Sequence, residues 1–211
     1  MNARTRAAAV LATLSASAVA LFAAPVAQAN VLSLLPGSCT GETYSQTFSR
    51  FGDNNWYTLV TGGDFEAGSV AWTRTGGAAT VDGNESFYVG GASNSRSLTL
   101  PAGSSATSPA VCASIDKPTL RFFARNSGSS SSRLNVDVYY PGLLGGVRMA
   151  RIGTIGASGS WNPTGEQQLT VANLLATLSL RRTAIAFRFS PADGNGKWRI
   201  DDVYVDPKMR G

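Results

Sequence analysis

From residue 70 onward the chain is cut into short β-like runs. The candidate strands are Val70–Arg74, Ala79–Val81, Phe87–Val89, Ser97–Leu100, Thr107–Cys112, Thr119–Arg125, Leu134–Tyr140, Arg148–Thr154, Gln168–Val171, Ala184–Ser190 and Trp198–Val205. Between them stand turn formers, among them Asp82-Gly83-Asn84, Pro101-Ala102-Gly103 and Asp193-Gly194-Asn195-Gly196, which favour chain reversal. Many short strands at this spacing predict an all-β chain folded as a sandwich or barrel. The Ser/Gly run from Ser127 to Ser132 is short enough for a hairpin loop, and only Asn173 to Leu178 reads as a helical turn.

The first residues read differently. Arg4 and Arg6 precede an apolar run from Ala7 to Ala24, and Ala27-Gln28-Ala29 is a small-x-small cleavage site. This pattern predicts an export signal over residues 1–29, a mature chain starting at Asn30, and a secreted, extracellular protein. No later segment approaches the length needed to span a bilayer. The chain carries 18 basic and 13 acidic residues, and loss of Arg4 and Arg6 leaves a mild basic excess. The charges are scattered, with Arg181-Arg182 the only adjacent basic pair, so a nucleic-acid partner is not expected.

Residues 30–61 read as an ordered strap that tucks Phe48, Phe51 and Trp56 against the domain, since a disordered linker would carry fewer aromatics. Residues 62–207 then form the domain and 208–211 a tail. Two cysteines, Cys39 and Cys112, lie in the exported part. An even count in an oxidising compartment favours a disulfide, which would staple the strap to the domain. Chain-entropy arithmetic values a loop of that length at about 4 kcal/mol.

The absence of histidine removes His-based triads, His general bases and His-ligated zinc. No Gly-x-Ser-x-Gly or phosphate-binding glycine signature is present either. The expectation is a protein that is not an enzyme. The one catalytic alternative is a polysaccharide lyase using Tyr139 with Arg121 or Lys117.

Thr61-Gly62-Gly63-Asp64-Phe65-Glu66-Ala67-Gly68-Ser69-Val70-Ala71-Trp72 places two carboxylates on one strand face and Phe65 on the other. Trp198-Arg199-Ile200-Asp201-Asp202-Val203 closes the chain with acids set in an apolar strand. Together these stretches resemble the galactose-binding-like β-jelly-roll domains, a class that includes many secreted carbohydrate-binding modules. The resemblance runs from Gly62 to Pro207. Phe87 to Ser93 with Pro101 to Ala110 also resembles exported proteins of actinomycete type.

The first resemblance implies an antiparallel jelly-roll sandwich and structural calcium held by Asp64 or Glu66, Asp201 and the backbone carbonyl of Arg96. Pleating supports one of these independently. Asp201 shares strand parity with Val203 and Val205, so a regular strand would bury its carboxylate, and oxygen ligands suit calcium. The alternatives are a core face marked by Trp198, Ile200 and Tyr204, a bulge, or an Arg199–Asp201 ion pair.

Parity also gives the expected ligand face. Leu120, Phe122 and Ala124, Leu134, Val136 and Val138, and Ile185, Phe187 and Phe189 read as core. If the three strands are neighbours, the opposite face carries Arg121, Phe123, Arg125, Asn135, Asp137, Tyr139 and Arg188. The resemblance implies that a polysaccharide or cell-envelope glycan lies on such an outer face. Phe123 and Tyr139 would then stack on sugar rings, and the three arginines would favour an acidic glycan. The competing reading is a solvated sheet surface with cross-strand Arg–Asp pairs and no sugar ligand, the face of a structural or interaction protein.

Overall fold

In a computed structural model, residues 43–66, 72–113, 119–142, 144–169 and 183–206 are described. The expected export signal, Cys39, Lys117, the helical turn at 173–178 and the tail lie outside them. The described residues form β1 (Thr58–Leu59), β2 (Thr73–Thr75), β3 (Ala79–Asp82), β4 (Arg96–Leu100), β5 (Ser105–Thr107), β6 (Val111–Ala113) and β7 (Thr119–Asn126). They continue with β8 (Leu134–Pro141), β9 (Val147–Ile155), β10 (Asn162–Pro163), β11 (Gln167–Gln168), β12 (Thr183–Pro191) and β13 (Trp198–Asp206).

These strands make an antiparallel jelly-roll sandwich. The first sheet runs β10-β7-β13-β4-β3, with β1 added to β13 and β11 to β7. The second runs β2-β5-β12-β8-β9, with β6 added to β12. Alternation drives the closure: Leu120, Phe122, Trp198 and Ile200 of the first sheet and Leu134, Val136, Val138, Phe187 and Phe189 of the second are all buried in one core. Each such side chain contributes roughly 1.5–3 kcal/mol on burial. Phe122 meets Phe189 edge-on at 5.1 Å across the core. Phe65 joins this core through Trp72 at 5.0 Å, whose indole N–H donates to the Thr61 carbonyl at 3.0 Å.

The strand β13 resolves the parity of the aspartates. Its register against β7 shifts between Asp201 and Tyr204, and Asp202 takes a left-handed φ of 47°. The extra residue switches faces within the strand. Trp198 and Ile200 point inward before the bulge, Val203 and Val205 after it, and Asp201 and Tyr204 fall on the outer face. The regular pleat that would put Asp201 among the valines is therefore corrected by a bulge.

Three other expectations change. The run 107–112 is split at Ser108-Pro109, where Ser108 both donates its N–H to Phe187 and accepts the Phe187 N–H on its hydroxyl, and proline offers no N–H to a ladder. Phe87–Val89 is not a strand, because its amides turn inward to the Glu85 carboxylate. Trp56 is 42% exposed, and Tyr57 is the buried residue of the pair.

The strap packs on the outer face of the first sheet. Tyr57 and Ser45 exchange backbone hydrogen bonds of 2.9 Å, β1 adds to β13, and Gly52 closes a 3-10 turn at a φ of 82° that favours glycine. Phe48, Tyr57, Phe123, Trp161 and Tyr204 form a second apolar cluster there, joined by Phe51 and Phe87. Cys112 is buried on β6 and is not a free thiol. The expected partner, Cys39, lies outside the described residues.

Candidate functional site

The residues expected to share one ligand face do not. Arg121, Phe123 and Arg125 lie on β7 in the first sheet, whereas Asp137, Tyr139 and Arg188 lie on β8 and β12 in the second. The chain crosses between sheets in the Ser/Gly loop after β7, so the inward faces meet and the outward faces stand back to back. The same separation removes the lyase pair of Tyr139 with Arg121.

On the first sheet, Phe123 is fully buried and stacks on Phe48 at 5.6 Å. The Arg121 guanidinium pairs with Asp53, donates its Nε–H to the Thr164 carbonyl at 2.9 Å and lies 4.4 Å from the Phe48 ring centre. Both residues hold the strap and are closed to a glycan.

On the second sheet, Arg188 is directly opposite Asp137, and Asp137 is opposite Arg151. Asp137, only 1% exposed, accepts from Arg151 Nε at 2.7 Å and faces Arg188 Nη1 at 3.5 Å. Tyr139 is half-buried beside this row, with Met149 opposite it on β9 and 50% exposed. A carboxylate shared by two arginines fixes both guanidiniums while leaving their outer N–H groups available, which suits charge-assisted recognition. Arg151 and Met149 were missed because β9 was read as a strand without its faces. Its alternation of Met149 and Arg151 against Ala150 carried the signal.

A second constellation is acidic. Glu66 Oε1 accepts the amides of Ser95 and Arg96 at 2.6 and 2.7 Å. Glu85 is fully buried and accepts the amides of Phe87 and Val89. Asp201 accepts the amides of Glu85 at 2.8 Å and Asp202 at 2.9 Å. Asp202 is fully buried; neither carboxylate oxygen completes a hydrogen bond of good geometry, and the neighbouring Gly90 amide only partly offsets its burial. Burial, then the charge of Asp202, pushes Asp201 up to about 9. Burial, then the charges of Glu85 and Asp64, pushes Asp202 up to about 7.

This geometry bears on calcium. Among the described residues no three acidic, cysteine or histidine side chains converge to hold a metal, so side chains alone do not build a cage. Asp201 and Glu66 already accept backbone amides, that of Arg96 among them. One buried carboxylate is left over: that of Asp202, within the field of Asp64, Glu66 and Glu85, completes no hydrogen bond, and an oxygen left so is of the kind that suits a hard cation. The doubled aspartate was the available signal; a bulge was among the alternatives, but its position decides which of the two stays unpaired.

Gly90 frames this carboxylate. A Cβ there would sit 2.5 Å from Asp202 Oδ1 and 2.6 Å from Asn94 Nδ2. Gly90→Ala is expected to cost about 1–3 kcal/mol of stability in chemical denaturation.

No family model matches the chain, and no curated protein matches it, so the likeness to actinomycete-type exported proteins gains no support. Solved structures do resemble it. The carbohydrate-binding and xylanase modules of Clostridium thermocellum endo-1,4-beta-D-xylanase 10B, complexed with xylohexaose, align at a TM-score of 0.49 and 13% identity, over 70% of this chain and 28% of that one. A xylan-binding domain from Paenibacillus barcinonensis aligns at 0.48 and 14%, over 70% and 93%. A family 11 carbohydrate-binding module from Clostridium thermocellum, in complex with a beta-1,3-1,4-mixed-linked tetrasaccharide, aligns at 0.40 and 14%, over 70% and 95%.

Proposed function

We propose that this is a secreted, non-catalytic domain that binds a polysaccharide on the outer face of the second sheet. One observation carries the reading: Tyr139 lies half-exposed beside two arginines that are held in place by the buried Asp137. An apolar platform ringed by a few fixed polar groups is the usual composition of a saccharide-sized site. The ring of Tyr139 and the exposed thioether of Met149 supply the platform. Arg188 and Arg151 supply donors for hydroxyls or carboxylates. Two cations share one buried anion, so the row favours an acidic glycan over a neutral one.

Calcium has a structural part in this proposal. Asp202, with Asp64 next to it in the field, would hold the ion. When bound, the ion supplies positive charge to a buried acidic cluster. The surrounding amides of Ser95, Arg96, Phe87 and Val89 fix the neighbouring carboxylates, so the loop after β3 is tied to β13 through Glu85 and Asp201.

Retention of the chain in gels carrying polygalacturonate, xylan or mixed-linked β-glucan tests the glycan reading. Polygalacturonate is expected to retard it most. Tyr139→Ala is expected to weaken retention tenfold or more while changing stability by less than about 1 kcal/mol, since a half-exposed ring leaves no closed cavity. Loss of stability without loss of retention would refute the assignment of Tyr139.

A second reading rests on β9. Leu144, Val147 and Met149 are 99%, 42% and 50% exposed, an apolar edge suited to a protein partner. A structural or interaction protein of this kind would be retained by no glycan, and Tyr139→Ala would leave its behaviour unchanged.

A further inference from the structure

The end of the first sheet that the strap leaves uncovered holds an arrangement unconnected with the glycan face. Arg125 on β7 and Arg199 on β13 are directly opposite in register, and like charges so placed destabilise a sheet. Both guanidiniums approach the same indole, at 5.3 and 6.0 Å from the Trp161 ring. Each has a buried Nε with no hydrogen-bond partner. Among the described residues neither forms an ion pair. Arg199 gives one terminal nitrogen to the carbonyls of Asp82 and Gly83.

The surrounding titratable groups do not neutralise the pair. Asp82 and Asp201 attract Arg199 from a distance, while burial and the charge of Arg125 work against its cationic form. Next to Arg199 opens a cleft of about 480 Å³ lined by Thr99, Ser127, Asn195 and Lys197. Lys197 is exposed and adds a third cation at its mouth. Two guanidiniums opposite in register, each with an unpaired buried Nε, and a polar cleft beside Arg199 match one kind of occupant. That occupant is an oxyanion accepting several N–H bonds at once.

We infer that Arg125 and Arg199, beside Trp161, form a second binding site for an oxyanionic group, either a carboxylate or a sulfate or phosphate ester carried by a ligand. This site stands independently of the glycan reading, because it occupies the opposite outer face from Tyr139. The anion replaces the missing acidic partner and relieves the repulsion between the arginines. Trp161 serves as the apolar wall that keeps both guanidiniums flat and dehydrated, where their contacts are strengthened.

Calorimetric titration of the full chain with sodium galacturonate, sodium sulfate and sodium phosphate tests this, at constant ionic strength against sodium chloride. At least one probe is expected to saturate above the chloride background, and which one does so separates the carboxylate source from the ester sources. Arg125→Gln is expected to weaken that binding tenfold or more and Arg199→Gln likewise, while Tyr139→Ala leaves it unchanged. Among the described residues Arg125 makes no hydrogen bond that its loss would break, so the anion-free Arg125→Gln protein should melt no lower than the wild type. Absence of saturation with all three probes, or equal affinity in wild type and Arg125→Gln, would overturn the inference. So would Arg125→Gln melting lower with its anion affinity intact, because that pattern belongs to a purely structural stack on Trp161.

Discussion

Phe48→Ala is expected to lower the free energy of unfolding by about 3–5 kcal/mol, read from urea titration. The ring is fully buried and lies between Tyr57 at 4.9 Å, Phe123 at 5.6 Å and Tyr204 at 5.8 Å. Its face also covers the Arg121 guanidinium. Truncation removes the transfer free energy of the ring, leaves a cavity lined by aromatics, and exposes one side of a buried ion pair. Trp56→Ala, eight residues on in the same strap, should change stability by no more than about 0.5 kcal/mol, because that side chain is exposed and packs in neither cluster. The contrast distinguishes a strap that belongs to the fold from a linker resting on it. Equal, small effects at both positions would show that the second cluster contributes nothing.

The acidic cluster gives the other large effect, and its sign depends on calcium. The folded-state pKa values of Asp201 and Asp202 are raised above the ordinary carboxylate value near 4. The folded chain therefore holds protons that the unfolded chain has released between about pH 4 and pH 7–9, and stability falls as pH rises through that window. In chelator, the melting temperature is expected to fall by about 5 °C or more from pH 5 to pH 8. Calcium requires deprotonated ligands, so its stabilisation should appear as pH rises and largely cancel that loss. Asp202→Asn separates the contributions. It removes the buried charge, and asparagine tolerates the left-handed backbone that residue 202 adopts. The variant should be more stable than wild type at pH 8 in chelator and indifferent to calcium. If chelator has no effect on wild type at pH 8, the ion is absent from this protein.

The sandwich was legible because period-2 alternation survives in β7, β8 and β12, where Leu, Phe and Val recur on one side. Which strands are neighbours was not legible. Parity says that Phe123 and Tyr139 both point away from the core, but it does not say that they point away in opposite directions. That depends on whether the Ser/Gly loop turns a hairpin or crosses to the other sheet. The strap showed the same limit. Its aromatic content announced packing, yet Trp56 and Tyr57 exchanged places because a single isolated bridge to Ser45 sets which of two adjacent rings faces inward. At the acidic site the residue types were readable, while the identity of the orphaned carboxylate depended on one inserted residue in β13. Glu85 was not singled out at all, since a lone glutamate in a turn gives no sign that two amides will fold back onto it.

The proposed glycan lies on the outer face of the second sheet. Amide chemical-shift mapping of the isotope-labelled chain with an oligogalacturonate, the soluble form of the preferred probe, tests it directly. The largest shifts are expected to cluster at Asp137, Tyr139, Met149, Arg151 and Arg188 and to vanish in Tyr139→Ala. Shifts confined to the first sheet around Arg125 and Arg199, or no shifts at saturating oligosaccharide with the anion site mutated, would contradict it.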